Sequence, residues 1–83
     1  IYFKNNPNNR IEIVGHTDNI GNSKDNYSIG LKYSRQVRHY LISKGKFDSS
    51  LIDASSKGES EPIGDNYSES GRIANKRIEI IFK

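Results

Sequence analysis

The chain has 83 residues, 33% hydrophobic and 28% charged, with no cysteine and a formal net charge of +3. A chain of this length makes one domain and buries only about 60–65% of the surface its unfolded form exposes, so the core is thin. The lack of cysteine excludes a disulfide framework and a thiolate metal site, and the mixing of ten acidic with thirteen basic residues argues against a dedicated nucleic-acid module.

Residues 1–5 read as the tail of a helix that the asparagines around Pro7 bring to an end, because Asn favours turns and Pro cannot donate a backbone hydrogen bond. A start inside an element leads us to expect a chain truncated at its N-terminus. Residues 11–14, Ile-Glu-Ile-Val, are short and mostly β-branched, the composition of a buried strand. Gly15 then permits a change of backbone direction, and Val14-Gly15-His16-Thr17-Asp18-Asn19-Ile20-Gly21 presents the Asp18 carboxylate at the strand's lip. Asp25 is the expected N-cap of a helix over 26–44. Its apolar stripe is Ile29, Tyr33, Val37, Tyr40 and Leu41, with small Gly30 and Ser34 beside the stripe to allow close approach to a sheet. Lys44 and Gly45 suit its C-terminal end.

Asp48-Ser49-Ser50 forms a turn bracketed by Phe47 and Leu51, followed by a strand candidate over 51–56. Residues 57–66 are loop by their glycines and proline. A short helix is expected over 68–75, weakened by Gly71. Residues 77–82 are apolar enough to form the central strand of a sheet. The order strand, helix, strand, short helix, strand predicts an α/β (α+β) two-layer sandwich with both helices on one face.

Several side chains carry two readings. Asp18 is either an Asx-turn residue or a ligand acid, and Thr17 either a loop hydrogen bond or a ligand contact. Tyr33 is a packing residue or a stacking surface. His16 is expected to donate to a loop carbonyl. Lys32, Arg35, Arg38, Lys44 and Lys46 read as a solvated helix face, and Arg72 and Arg77 as partners of Glu59, Glu61 or Glu79. Asp18, Glu59 and Glu61 lack a nucleophile, metal set or phosphate loop beside them, so no enzymatic activity is expected. His16 and His39 make no ligand spacing, and no cofactor is implied. No apolar run approaches the roughly 20 residues of a spanning helix, so membrane attachment is expected only through a segment outside this chain.

Four separated motifs in order resemble the OmpA-like domain, which binds peptidoglycan in outer-membrane proteins, peptidoglycan-associated lipoproteins and flagellar stator subunits. They are Ile11 to Asp18 with Gly21; Asn26 with Ile29, Gly30, Ser34 and Val37; Gly58-Glu59 with Pro62; and Asn66 with Gly71-Arg72 and Asn75-Lys76-Arg77-Ile78-Glu79. The resemblance implies one OmpA-like domain over 1–83 that lacks the family's first strand and most of its first helix. The sheet edge this leaves unpaired invites pairing with a second copy of the chain. It also implies a periplasmic location at the outer membrane of a Gram-negative bacterium and a diaminopimelate-containing stem peptide as ligand.

On the residues of this chain, the resemblance implies a site made by Asp18, Thr17, Asn26, Arg72, Asn75 and Lys76. One position departs from the family: the helix arginine that grips diaminopimelate falls on Tyr33. Arg35 does not replace it, because two helical residues turn a side chain by about 200°. Losing that charge-assisted bond is worth roughly 1.5–3 kcal/mol, or tenfold to a hundredfold in affinity. Either Lys76 or Arg72 compensates, or the ligand differs, or the domain has kept the fold and lost the wall.

Overall fold

In a computed structural model, residues 10–45 and 48–83 are described. The elements are β1 (Ile11–His16), α1 (Ser23–Gly45), a 3₁₀ turn (Ser49–Leu51), β2 (Ile52–Gly58), α2 (Glu69–Asn75) and β3 (Arg77–Phe82). The expected helix tail over 1–5 and the bracketing role of Phe47 lie outside the described residues.

β1 runs two residues further than predicted, through Gly15 to His16. Gly15 serves a close approach and not a turn: a Cβ here would meet the carbonyl of Gly30 in α1. At Gly30 a Cβ would press on Ser56 Oγ of β2 and on the Gly15 carbonyl. The two glycines therefore let α1 lie unusually close to the sheet, and the face that makes this contact must be small. Gly30 and Ser34 are buried as expected, and Val37 and Leu41 continue their line onto the core of Ile11, Ile13 and Ile52. The apolar stripe is displaced from its predicted place. Ile29, Tyr33 and Tyr40 are 44%, 52% and 62% exposed, so Tyr33 is not a core residue. A helix wedged on glycine and serine turns its large side chains to the flanks.

The start of α1 also differs. Asn22 is the cap, its Oδ1 accepting from Asp25 N at 2.9 Å while its carbonyl accepts from Asn26 N at 3.0 Å. Asp25 sits inside the first turn, where a carboxylate favours the helix dipole. Arg38, expected in the solvated face, instead donates from Nε to Ile52 O at 2.7 Å and from Nη2 to Ser49 O at 2.9 Å, tying α1 to the start of β2. The 3₁₀ turn forms where the Asp48 turn was predicted, with Asp48 Oδ1 accepting from Ser50 N at 3.0 Å.

The sheet order is β2-β1-β3, with β1 parallel to β2 and antiparallel to β3. Among the described strands β1, and not 77–82 as predicted, holds the central place, and β3 stands at the side of the sheet away from β2. Ile80, Ile81 and Phe82 are partly exposed there. Apolar density records that a strand has greasy faces, not which strands flank it. Near its end β2 carries one residue more than β1, the register slipping between Gly15 and His16, and Gly58 takes φ 53°.

α2 starts at the expected place with Ser68 as N-cap, its Oγ accepting from Gly71 N at 3.0 Å. Gly71 does more than weaken this helix. A Cβ there would run into the Asp65 backbone, so the glycine allows α2 to close on the loop that precedes it.

Candidate functional site

The register slip in β2 and the end of β1 bring residues 16–18 to one end of the sheet. Thr17 N donates to Gly58 O at 2.9 Å, and Thr17 Oγ1 donates to the Asp18 carbonyl at 2.9 Å. Gly21, at φ 88°, turns the loop toward α1. Asn26 fastens the loop from the helix side: its Nδ2 lies 3.3 Å from Asp18 O, 3.0 Å from Ile20 O and 2.9 Å from Glu59 Oε1. Glu59, directly after Gly58, thus braces the loop as an acceptor for Asn26.

Asp18 realises the Asx-turn reading. Its Oδ1 accepts from Ile20 N at 3.1 Å, and its side chain is 11% exposed. Its Oδ2 remains for a cation, and Lys76 Nζ stands 3.5 Å away on a half-exposed side chain. One oxygen holds the loop and the other faces an amine.

These residues lie along a groove of about 720 Å³ between α1 and the start of β3. Of the seven predicted site residues it gathers Thr17, Asp18, Asn26, Tyr33 and Lys76. Arg72 and Asn75 do not line it. Asn75 is fully buried, with Oδ1 accepting from Ile63 N at 2.8 Å and Gly64 N at 2.7 Å, and Nδ2 donating to Gly64 O at 3.0 Å and Asn66 Oδ1 at 2.7 Å. Those four bonds use its whole amide and make it the clasp of the 63–66 loop. Arg72 donates from Nη1 to Asn66 O at 3.1 Å and serves the same loop.

The groove also holds residues that the sequence reading did not place there. Ile20, Ile29, Val37 and Ile78 give it apolar walls, and Gln36 stands on the helix bank near Tyr33. Arg77 joins it because antiparallel pairing sets Arg77 opposite His16. The guanidinium is already engaged: Nε donates to Glu79 Oε2 at 2.8 Å, Nη2 to Glu61 O at 3.0 Å and Nη1 to Asn75 O at 3.4 Å. The pairing of Arg77 with Glu79 is one the sequence anticipates. The Arg77 hydrogen bond holds the Glu79 carboxyl below its usual pKa, against a smaller opposing effect of burial.

His16 departs from expectation. Its ring is 1% exposed and donates to no carbonyl; Nε2 is 3.3 Å from Glu79 Oε1 but off the hydrogen-bond direction, leaving both ring nitrogens without a hydrogen-bond partner. The signal that could have located Arg77 is its place directly after the Asn75-Lys76 pair, two residues from Glu79. Its convergence on His16 depends on strand pairing across the whole chain.

Chemically, the groove offers a buried carboxylate with one open oxygen, a movable ammonium, neutral hydrogen-bonding groups on Tyr33 and Gln36, and apolar walls. Such a set fits a ligand that carries an amine on an aliphatic stem.

Comparison with known proteins gives a consistent picture. The OmpA family pattern matches residues 1–76. Over 73 residues the chain is 37% identical to outer membrane porin F of Pseudomonas fluorescens, covering 88% of this chain and 22% of the porin. Across the first curated relatives the chain spans only 22% to 34% of their length. The fold is similar to that of the peptidoglycan-associated lipoprotein from Burkholderia pseudomallei, with a TM-score of 0.90 and 29% identity, over 99% of this chain and 69% of that one. It is also similar to the C-terminal domain of MotB from Helicobacter pylori, with a TM-score of 0.83 and 30% identity, over 92% of this chain and 58% of that one.

Proposed function

The chain belongs to the OmpA family, a non-enzymatic one, and on that premise we propose that it is a binding module that tethers an envelope protein to peptidoglycan. In this reading its 83 residues act as one module in the periplasm of a Gram-negative bacterium, attached to the outer membrane, and the ligand is the diaminopimelate side chain of the stem peptide. Among the described residues no helix is long and apolar enough to cross a membrane.

The observation that carries the reading is the Asp18–Lys76 pair. Asp18 Oδ2 is turned away from the loop bond and already has an ammonium 3.5 Å from it. The ammonium of diaminopimelate takes the place of Lys76 at Oδ2, and the displaced Lys76 turns to the ligand's carboxylate. Thr17 and Asn26 hold the Asp18 backbone in place, so Asp18 presents its open oxygen without rearrangement. The aliphatic stem lies along the apolar walls, with Tyr33 beside it. Support for peptidoglycan as the partner comes from the similarity to a peptidoglycan-associated lipoprotein.

Co-sedimentation with purified sacculi tests this. The protein is expected to pellet with the wall. Asp18→Asn, which keeps an oxygen for the Ile20 amide while removing the charge, is expected to lose at least tenfold in retention. Equal retention of both proteins sinks the proposal. A second reading, a scaffold of the same fold that works through protein contacts and has lost the wall, is favoured by one observation: Tyr33 stands where the family resemblance puts an arginine, and all three nitrogens of Arg77 are engaged elsewhere. It predicts no retention of either protein.

A further inference from the structure

We infer that the groove recognises the amine of its ligand strictly and its acid end loosely, so that diaminopimelate is accepted with its side-chain carboxyl either free or amidated. The inference rests on the reading of the groove as a diaminopimelate site and names which chemical form of that residue it takes.

Strict recognition at one end follows from Asp18. Its side chain is 11% exposed, its orientation is fixed by the Ile20 amide, and its second oxygen faces an ammonium at 3.5 Å. An uncharged group cannot compete with the Lys76 ammonium for Asp18 Oδ2, so a ligand without the amine gains no charge-assisted bond there.

At the other end no charge is held ready. Arg77 is the guanidinium nearest to the task, and each of its nitrogens donates to an acceptor of the protein: Glu79, Glu61 O and Asn75 O. Releasing it breaks three bonds to make one or two. His16 lines the groove, but with its ring only 1% exposed it offers a ligand little surface. The α1 bank contributes the phenol of Tyr33 and the amide of Gln36, both neutral. A phenol and an amide each donate and accept, so they satisfy a carboxamide as readily as a carboxylate.

Only Lys76 prefers the anion. Its side chain is 58% exposed, and an ammonium on a flexible stem is a point charge that water and salt screen, without the two-pronged geometry of a guanidinium. A pair of that kind separates the two ligand forms by about fivefold or less.

The test is isothermal titration of the intact 83-residue chain with two tripeptides, L-alanyl-D-glutamyl-meso-diaminopimelate and the same peptide amidated on the diaminopimelate side-chain carboxyl. Both are expected to bind, with dissociation constants within about fivefold of each other at physiological ionic strength. Tyr33→Arg, at a half-exposed position that the fold tolerates, is expected to raise the preference for the free acid to tenfold or more by supplying the missing fork. A native preference for the free acid above tenfold, or an unchanged ratio in Tyr33→Arg, overturns the inference. Failure of the underlying reading looks different: neither peptide binds, or both bind Asp18→Asn as well as the native chain, and in that case this inference falls with it.

Discussion

Asp18 divides its two oxygens between the Ile20 amide and the Lys76 ammonium, and a similar division recurs in Glu79. One oxygen of Glu79 holds Arg77 Nε at 2.8 Å and the other lies 3.3 Å from the buried ring of His16. The Arg77 hydrogen bond is the largest cause of its lowered pKa, burial opposes it, and the charges of His16 and Arg77 add to the lowering. A carboxyl whose pKa is lower in the folded chain than in the unfolded one stabilises the fold above its unfolded value and loses that contribution as pH falls through the folded value. The gap in stability between the native chain and Glu79→Gln is therefore expected to be fully present at pH 7 and to close as pH drops below the usual 4.5. Because Glu79 is 42% exposed, the gap is at most about 1 kcal/mol. Urea titrations of both proteins at several pH values check this; a gap that widens in acid contradicts it.

Among the elements, α1 and β1 set the geometry of the site. Where Gly15 meets Gly30 there is no side chain between helix and strand, which fixes the height of α1 over the sheet and swings Ile29 and Tyr33 out to form one bank of the groove. The obstacle a Cβ at Gly15 would meet is backbone, which cannot move aside by changing rotamer. Gly15→Ala is accordingly expected to cost about 2–3 kcal/mol, visible as a lower denaturation midpoint, and to widen the groove. A midpoint unchanged from the native chain would show that the layers can separate freely. α2 plays a supporting part: through Asn75 and Gly71 it braces the 63–66 loop and delivers Lys76 and Arg77 to the groove as β3 begins.

For the whole molecule, the exposed position of β3 is the consequential fact. Among the described residues no strand pairs with the outer edge of β3, and Ile80 and Phe82 beside that edge are 46% and 65% exposed. An apolar edge with free backbone donors and acceptors is a template for another strand. The 83-residue chain is expected to self-associate as its concentration rises, and Phe82→Lys to shift that association to several-fold higher concentration. Sedimentation velocity over a dilution series measures both, and a chain that stays monomeric throughout removes β3 as a pairing edge.

By itself the sequence determined what depends on a few neighbouring residues: a strand ending in a loop that carries Asp18, a long helix with Gly30 and Ser34 ready for close packing, and a short helix over 68–75 before the last strand. Local dihedral preference, capping and hydrophobic period are encoded within a turn or two of chain, so they can be read there. The motif order also indicated the family, which the match over residues 1–76 bears out. Only the tertiary structure decided which face of α1 meets the sheet, that β1 is central among the described strands, that Asn75 and Arg72 brace a loop outside the groove, and that Arg77 reaches it with its guanidinium already occupied. Each of these turns on segments brought together from distant parts of the chain, such as Gly15 with Gly30 or His16 with Arg77. There the deciding quantities are the spacing of layers and the register of pairing, and neither is written in the local pattern of residues.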